Sequence, residues 1–365
     1  MEFVIFSISA FYILWHLILF IGLMKSMNMK QNLSWEFNPS VSIIVAARNE
    51  EPVIRDCIES LVHLDFPYDK LEIILVNDRS DDHTGVIMQS YEMNYNFVKY
   101  ICIQEEHPIL KGKTNALNEA LNSASGEIIF TTDADIKVKK TWLRTLLSYY
   151  TDECGVVSSY SIIEPQGLFS GVQSLDWMYM LTTACASFGM GIPISCVGNN
   201  MSYRRKAYDE TGGYSKINFS VTEDFILLQE IRKKTKWKTS FPVNAEGMNI
   251  TQPCASISEL LRQKKRWIIG GLGSFSAGIP AGALSWFSAA FFLFGWLITP
   301  ELWLIFITVK FVTDCLFMLP ALRRLGLCKY FIWFIPYEIY FILYVLPMPF
   351  VVLFSKKVKW KGREL

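Results

Sequence analysis

The stretch Gly126 to Asp135 reads GEIIFTTDAD. Glu127 to Thr132 has the composition of a buried strand, because Ile128, Ile129 and Phe130 run apolar without alternation, as a central parallel strand does. Its end carries two carboxylates, Asp133 and Asp135, spaced i, i+2. In extended backbone that spacing puts both side chains on the same side of the chain. Two carboxylates so placed at the carboxyl edge of a strand suit a hard divalent cation that also holds a diphosphate. Either one alone would be an ordinary loop residue.

Working outward, Val41 to Ala46 (VSIIVA) and Leu71 to Val76 (LEIILV) are strand-like, while Glu50 to Leu64 and Thr114 to Ser123 are helix-like. Strand, helix, strand, helix, strand predicts an α/β domain with a mostly parallel sheet. Ligands of such sheets sit at the carboxyl ends of the strands. The polar clusters of this chain fall at those places: Ala47-Arg48-Asn49-Glu50, then Asn77 to Asp82, then Asp133-Ala134-Asp135. Three strand ends point to one edge.

The composition is 51% hydrophobic, 15% aromatic and only 19% charged, with the charges crowded in the middle of the chain. A soluble domain between membrane segments has that distribution. A net charge of +1 gives no reason to expect nucleic acid as a partner. The eight cysteines are scattered and include no C-x-x-C, so they read as reduced thiols. Phe3 to Met24 is uncharged, long enough to span a bilayer and lacks a basic leader, so residues 1–26 read as a retained anchor. Lys25 and Lys30 then place the following domain in the cytoplasm, against the inner membrane.

Residues 38–250 are expected to form the catalytic domain, and 251–275 an interfacial helix. In Ile257 to Ile268, apolar positions alternate with Arg262 to Arg266 as in a basic amphipathic helix on a membrane surface. Residues 281–355 hold further candidate spans, one beginning near Ala281, then Leu302 to Leu322 and Tyr330 to Phe354. Residues 356–365 form a basic tail. Three full spans would put that tail outside, against the positive-inside rule, and Pro336, Pro347, Pro349 and Glu338 make the last segment a candidate for a broken or re-entrant helix.

Asp78 follows a strand and could hydrogen-bond a base or ribose, or simply sit in a polar turn. Lys113 precedes a helix, where it could reach a phosphate or remain a solvated lysine. Ser220 and Glu223 have the spacing of a capping box, which would account for Glu223 but leave Asp224 without a task. A carboxylate at a helix N-terminus stays ionised at neutral pH and suits a general base. Gln263, Arg266 and Trp267 lie i, i+3, i+4 and share a helix face that could line a sugar or diphosphate site. Snorkelling cations and an interfacial Trp are the alternative. Lys310 and Asp314, i, i+4 in an apolar run, read equally as a functional pair or a neutralising one.

The ordered set VSIIVAARNE, LVNDRSDD, KGKTNALNEAL, DAD, VGNNMSYRR, TED and QKKRW, from Ser42 to Trp267, resembles the membrane-bound family-2 glycosyltransferases. These include cellulose, hyaluronan and poly-N-acetylglucosamine synthases and ceramide glucosyltransferases. The resemblance implies a GT-A-type nucleotide-sugar-binding domain flanked by transmembrane helices. It implies that Asp78 contacts the uridine, with Ala47 and Glu50 in the first nucleotide loop, Lys113 close to the nucleotide, and Asp133 and Asp135 as the D-x-D pair. Asp133 is then nucleotide-proximal and Asp135 a ligand of Mg2+ or Mn2+ on the diphosphate. Asp224 matches the base that deprotonates the acceptor hydroxyl, and Glu223 and Arg266 are counted with it as catalytic. Gln263 and Trp267 match the element beside the acceptor. Gly198 and Asn199 occupy an acceptor-side turn whose sequence, SCVGNN, departs from the F-x-G-[ST] type of several polysaccharide synthases.

The implied reaction is an inverting transfer from a UDP-sugar to a lipid or growing glycan, giving a β-linkage. A processive polysaccharide synthase and a single-sugar transfer to lipid both fit. A haloacid-dehalogenase-like phosphatase does not, since Lys137 stands where that class has Thr or Val and no later G-D-x-x-x-D exists. A non-catalytic scaffold predicts loss of charged site residues, yet all are present.

Overall fold

The computed structural model describes residues 2–32, 38–105, 107–274, 278–354, 359–360 and 363–364. In chain order, α1 (Glu2–Met27) comes before β1 (Val41–Ala47), α2 (Ile54–Val62), β2 (Leu71–Asn77) and α3 (Thr84–Asn94). Then come β3 (Val98–Cys102), α4 (Lys113–Ser123), β4 (Ile128–Asp133), β5 (Lys137–Val138) and α5 (Trp142–Leu147). β6 (Cys154–Ser158), β7 (Ser161–Ile163), α6 (Leu168–Gly189), β8 (Met201–Arg204), α7 (Arg205–Thr211) and α8 (Glu223–Lys234) follow. After β9 (Lys238–Ser240) and β10 (Asn249–Thr251) come α9 (Ile257–Ser274), α10 (Gly278–Phe294), α11 (Pro300–Leu325), α12 (Phe334–Val345) and α13 (Met348–Phe354).

These elements form two compact units. One, the sheet unit, comprises Met29–Ile162, Cys196–Gln252 and Lys357–Leu365; the other, the helical unit, comprises Met1–Asn28, Ile163–Ser195 and Pro253–Lys356. The stretch 38–250 is thus interrupted, because residues 163–195 cluster with the apolar helices rather than with the sheet. Asp176 is the one charged residue of α6, and such a helix buries most of its circumference. Of the basic tail, residues 356–358, 361–362 and 365 lie outside the described residues.

The sheet unit is built on a seven-stranded sheet in the order β3-β2-β1-β4-β8-β6-β9. The first four run parallel, and β8 reverses direction between β4 and β6. The apolar runs of β1, β2 and β4 are buried on both faces, which is why they show no alternation. α2 buries Ile54, Cys57, Ile58, Leu61 and Val62, one helical stripe, against the sheet core. It begins at Ile54 rather than Glu50, because residues 51–53 form a turn in which the Glu50 carbonyl accepts the Val53 and Ile54 N–H groups. Glu72 is the inward charge of β2. It accepts the Ser42 hydroxyl, the Ser125 and Gly126 N–H groups and the Lys99 ammonium, and so ties the start of β4 to its neighbours. Burial alone would raise Glu72, but Lys99, Ser42 and Ser125 hold it below its ordinary value.

Among the described residues of the helical unit, four stretches are long and apolar enough to cross a membrane: Ser7–Met27, Pro280–Leu297, Pro300–Leu325 and Cys328–Phe354. The last is broken into a 3-10 turn at Cys328–Trp333, then α12 and α13, with Pro347 at the join. Lys310 and Asp314 belong to a larger buried cluster. The Lys310 ammonium lies 2.7 Å from Asp314 and also pairs with Glu338 of α12. Asp314 accepts the Tyr12 hydroxyl at 2.5 Å and lies 3.2 Å from His16 Nε2, both on α1. Three helices thus meet at one cation. Lys310→Met leaves two buried carboxylates without their counter-ion and is expected to cost about 3–5 kcal/mol. Thermal unfolding in detergent checks this: the single variant melts well below the parent, and Lys310→Met/Asp314→Asn/Glu338→Gln recovers most of the loss. A single variant as stable as the parent would contradict it.

Candidate active site

Register brings the three strand ends level, with Ala47 opposite Asn77 and Ala46 opposite Asp133. The loops beyond β1 and β2 interlock. The Asp78 N–H donates to the Ala47 carbonyl at 2.9 Å, and Arg48 Nη1 donates to the carbonyls of Asp78 and Arg79, each at 2.8 Å. Asn49 Oδ1 accepts the Asp81 N–H, and the Glu50 N–H donates to Thr84 Oγ1. Asn49 and Arg79 take φ of 54° and 55°, left-handed backbone that side-chain-bearing residues adopt at a cost of about 1–3 kcal/mol. Asp78 is only 1% exposed and accepts Arg79 Nε at 3.1 Å, so its carboxylate lies inside the loop. Ala47 is buried and contributes its carbonyl.

Lys113 proves to be the first residue of α4, brought there by Gly112, whose φ of 54° turns the chain sharply before the helix. Its ammonium lies 2.6 Å from Asp133 Oδ1 and 3.0 Å from Glu223 Oε1. Burial by itself would lower the Lys113 pKa, but Asp133 and Glu223 carry it above its ordinary value. Ser220 does not form the expected capping box. Thr222 is the N-cap, so Glu223 opens the helix instead of occupying its third position, and its carboxylate goes to Lys113. Ser220 Oγ accepts the Thr222 N–H instead.

Asp224 follows in the first turn of α8, where Oδ1 accepts the Phe225 N–H at 2.8 Å. Its other oxygen faces Gly198: a Cβ placed on that glycine would stand 3.1 Å from Asp224 Oδ2 and 3.0 Å from its Cβ. The Gly198 carbonyl accepts Thr131 Oγ1 of β4 at 2.8 Å. A narrow cleft results, lined by Lys113, Thr131, Gly198, Tyr203, Tyr214, Glu223 and Asp224. Asn199, expected on the acceptor side, turns its side chain into the sheet unit. Its side chain is buried, with Oδ1 accepting Ser161 Oγ at 2.6 Å, while its carbonyl accepts Asn249. The first Asn of the turn is scaffold, and Gly198 lines the cleft. Thr131, Tyr203 and Tyr214 are cleft residues that carry no charge to single them out in the sequence, although Tyr203 lies within VGNNMSYRR.

Asp135 Oδ2 accepts Thr251 Oγ1 at 3.0 Å. Burial, and after it the Asp133 charge, raise Asp135 above its ordinary value. No group of three or more His, Cys, Asp and Glu side chains forms a metal cage among the described residues. Asp133, which also pairs with Lys113, and Asp135, whose carboxyl the nearby Asp133 charge raises, are a two-carboxylate set of hard oxygen donors. That donor set fits Mg2+ or Mn2+.

In the helical unit, α9 carries Gln263, Arg266 and Trp267, all half-buried. Trp267 packs on Trp177 of α6 with ring centroids 5.1 Å apart. Lys264 does not snorkel as the basic run suggests: it is buried, paired with Asp176 of α6.

Residues 42–212 match the Glycosyl transferase family 2 model and residues 128–355 the Glycosyl transferase family group 2 model. The chain belongs to this glycosyltransferase family. It is 31% identical over 216 residues to the probable glycosyltransferase YdaM of Bacillus subtilis, covering 55% of this chain and 50% of that protein. It is 29% identical over 241 residues to a beta-monoglucosyldiacylglycerol synthase of Synechocystis, 64% of this chain and 48% of that one. It is 30% identical over 239 residues to a poly-beta-1,6-N-acetyl-D-glucosamine synthase of Staphylococcus epidermidis, 63% of this chain and 54% of that one. The chain thus spans about half the length of these curated relatives. The mannosyltransferase PcManGT of Pyrobaculum calidifontis, solved with GDP-Man and Mn2+, superposes with a TM-score of 0.65 at 18% identity over 97% of this chain and 96% of that one. The fold is GT-A-like.

The ion pairs at Lys113 predict energetic coupling between distant sequence positions. In a double-mutant cycle, Lys113→Met and Glu223→Gln are expected to couple by about 1–3 kcal/mol in unfolding free energy. Strict additivity would show that the contact does not hold the cleft together.

Proposed function

We propose that this protein transfers a sugar from a UDP-sugar to a hydroxyl of a lipid or growing glycan, with inversion, at the cytoplasmic face of the inner membrane. The observation that carries this reading is the placing of Asp224 at a cleft whose other charged groups, Lys113 and Glu223, lead directly to Asp133 at the strand edge. Residues 38–250, without the inserted α6, are the catalytic part. α1 and the apolar stretches after α9 are the membrane part. A glycolipid synthase and a polysaccharide synthase both stand among the relatives, which is why the acceptor class is left at lipid or glycan.

In this reading the interlocked loops bearing Ala47, Glu50 and Asp78 receive the nucleoside. Asp78 reaches the base once the Arg79 guanidinium is drawn toward the diphosphate. Asp133 and Asp135 would hold Mg2+ or Mn2+, and such an ion supplies Lewis-acid neutralisation of the departing diphosphate. Lys113 supplies a fixed positive charge beside it, already oriented by two carboxylates, so little reorganisation accompanies bond breaking. Asp224 takes the proton from the acceptor hydroxyl as the oxygen attacks the anomeric carbon. A single displacement turns an α-linked donor into a β-linked product, and no carboxylate is needed as nucleophile. Glu223 keeps Lys113 in place, and Gly198 leaves room beside Asp224 that a larger residue would fill. Arg266, Gln263 and Trp267 act at the acceptor and diphosphate.

UDP release by membranes holding the protein, over a panel of UDP-sugars, tests the reading. Asp224→Asn is expected to lower turnover about 10²–10⁴-fold while UDP binding persists. Chelation should abolish release, and Mn2+ or Mg2+ should restore it. Full turnover by Asp224→Asn would remove the base assigned here.

A further inference from the structure

α6 carries three side chains at i, i+3 and i+4, Gln173, Asp176 and Trp177, and each engages the chain of α9 or its approach. Gln173 brackets the residue leading into α9: its Oε1 accepts the Cys254 N–H at 2.9 Å and its Nε2 donates to the Cys254 carbonyl at 3.1 Å. Asp176 pairs with Lys264. Trp177 packs on Trp267. Asp176 also accepts the Tyr344 hydroxyl of α12 at 2.8 Å, and both it and Lys264 are buried, at 4% and 6% exposure.

The cation has a second task. Lys264 Nζ stands 4.8 Å from the centre of the Trp267 ring and 4.9 Å from that of Tyr344. Lys264 and Trp267 are i, i+3 neighbours, so a charge fixed at one constrains the rotamer of the other. A buried ion pair with hydroxyl support is directional where an apolar contact is not, and it specifies one rotational setting of a helix.

We propose that Asp176 is a positioning residue for sugar transfer: through Lys264 it sets the rotation of α9, and with it the face bearing Gln263, Arg266 and Trp267. This rests on the reading that those three residues serve the acceptor side of the reaction. Asp176 itself touches no substrate in this account. Its removal should impair turnover without weakening nucleotide binding, which belongs to the sheet unit.

The test uses the full chain in nanodiscs, with kcat for transfer, UDP affinity and melting temperature measured for each variant. Asp176→Asn is expected to lower kcat about 10²-fold, the scale of a small misplacement of reacting groups, and to leave UDP affinity within about twofold. Asp176→Glu should restore part of kcat. Should Asp176→Asn fail to fold, Asp176→Leu/Lys264→Leu carries the test, since it buries no lone charge. It is expected to regain the parental melting temperature but not the parental kcat. A double variant that regains both, or a folded Asp176→Asn with parental kcat, would overturn the positioning role. Transfer lost in Trp267→Ala but kept in Asp176→Asn overturns this inference alone. Transfer kept in Trp267→Ala overturns the acceptor-side reading and this inference with it.

Discussion

The ammonium of Lys113 lies within 3.0 Å of carboxylates from two segments remote in sequence, the end of β4 and the first turn of α8. Asp133, Glu223 and Asp224 gather like charge at one edge of the sheet. One cation at the start of α4 makes that edge tenable, and it also aims a positive charge where a diphosphate oxygen would gather electrons. The rest of the site depends on this contact. β4 must end level with β1 and β2, Gly112 must turn the chain into α4, and α8 must begin just after Thr222 so that Glu223 reaches Lys113.

The helical unit uses the same device for another purpose. Lys310 and its partner Asp314 join α1, α11 and α12, while Lys264 and Asp176 join α6, α9 and α12, and in both cases a tyrosine hydroxyl donates to the aspartate, Tyr12 to Asp314 and Tyr344 to Asp176. Apolar side chains pack helices together but leave their rotation loosely specified, especially where the surroundings are as apolar as the helices. Charged pairs remove that freedom. Lys264 and Lys310 are therefore buried in stretches whose sequence reads as freely basic or as mostly apolar.

The sheet and its ligand edge were legible because parallel strands announce themselves by unbroken apolar runs, and because three polar clusters follow three such runs. Legibility stopped where partners are remote. S-x-x-E spacing imitates a capping box, and only the fold shows Glu223 answering Lys113 instead. Both asparagines of VGNN turn inward to partners that local sequence does not reveal: Asn199 accepts from Ser161, while Asn200 accepts from Trp142 and donates to the Tyr160 and Gly247 carbonyls. The basic run at Arg262 to Arg266 conceals one buried lysine among half-buried and exposed cations, since the acid that pairs with it lies on α6. α6 itself was unread: it has helical composition, but nothing local assigns it to the helical unit.

In the proposed reaction the edge formed by β1, β2 and β4 holds a nucleoside diphosphate through Asp133, Asp135 and Lys113. Calorimetric titration of UDP into the purified protein, with and without Mn2+, tests it most directly. Metal-dependent binding in the parent, lost in a folded Asp133→Asn/Asp135→Asn variant, is the predicted result. UDP binding of equal strength in that variant, or indifferent to the metal, would contradict it.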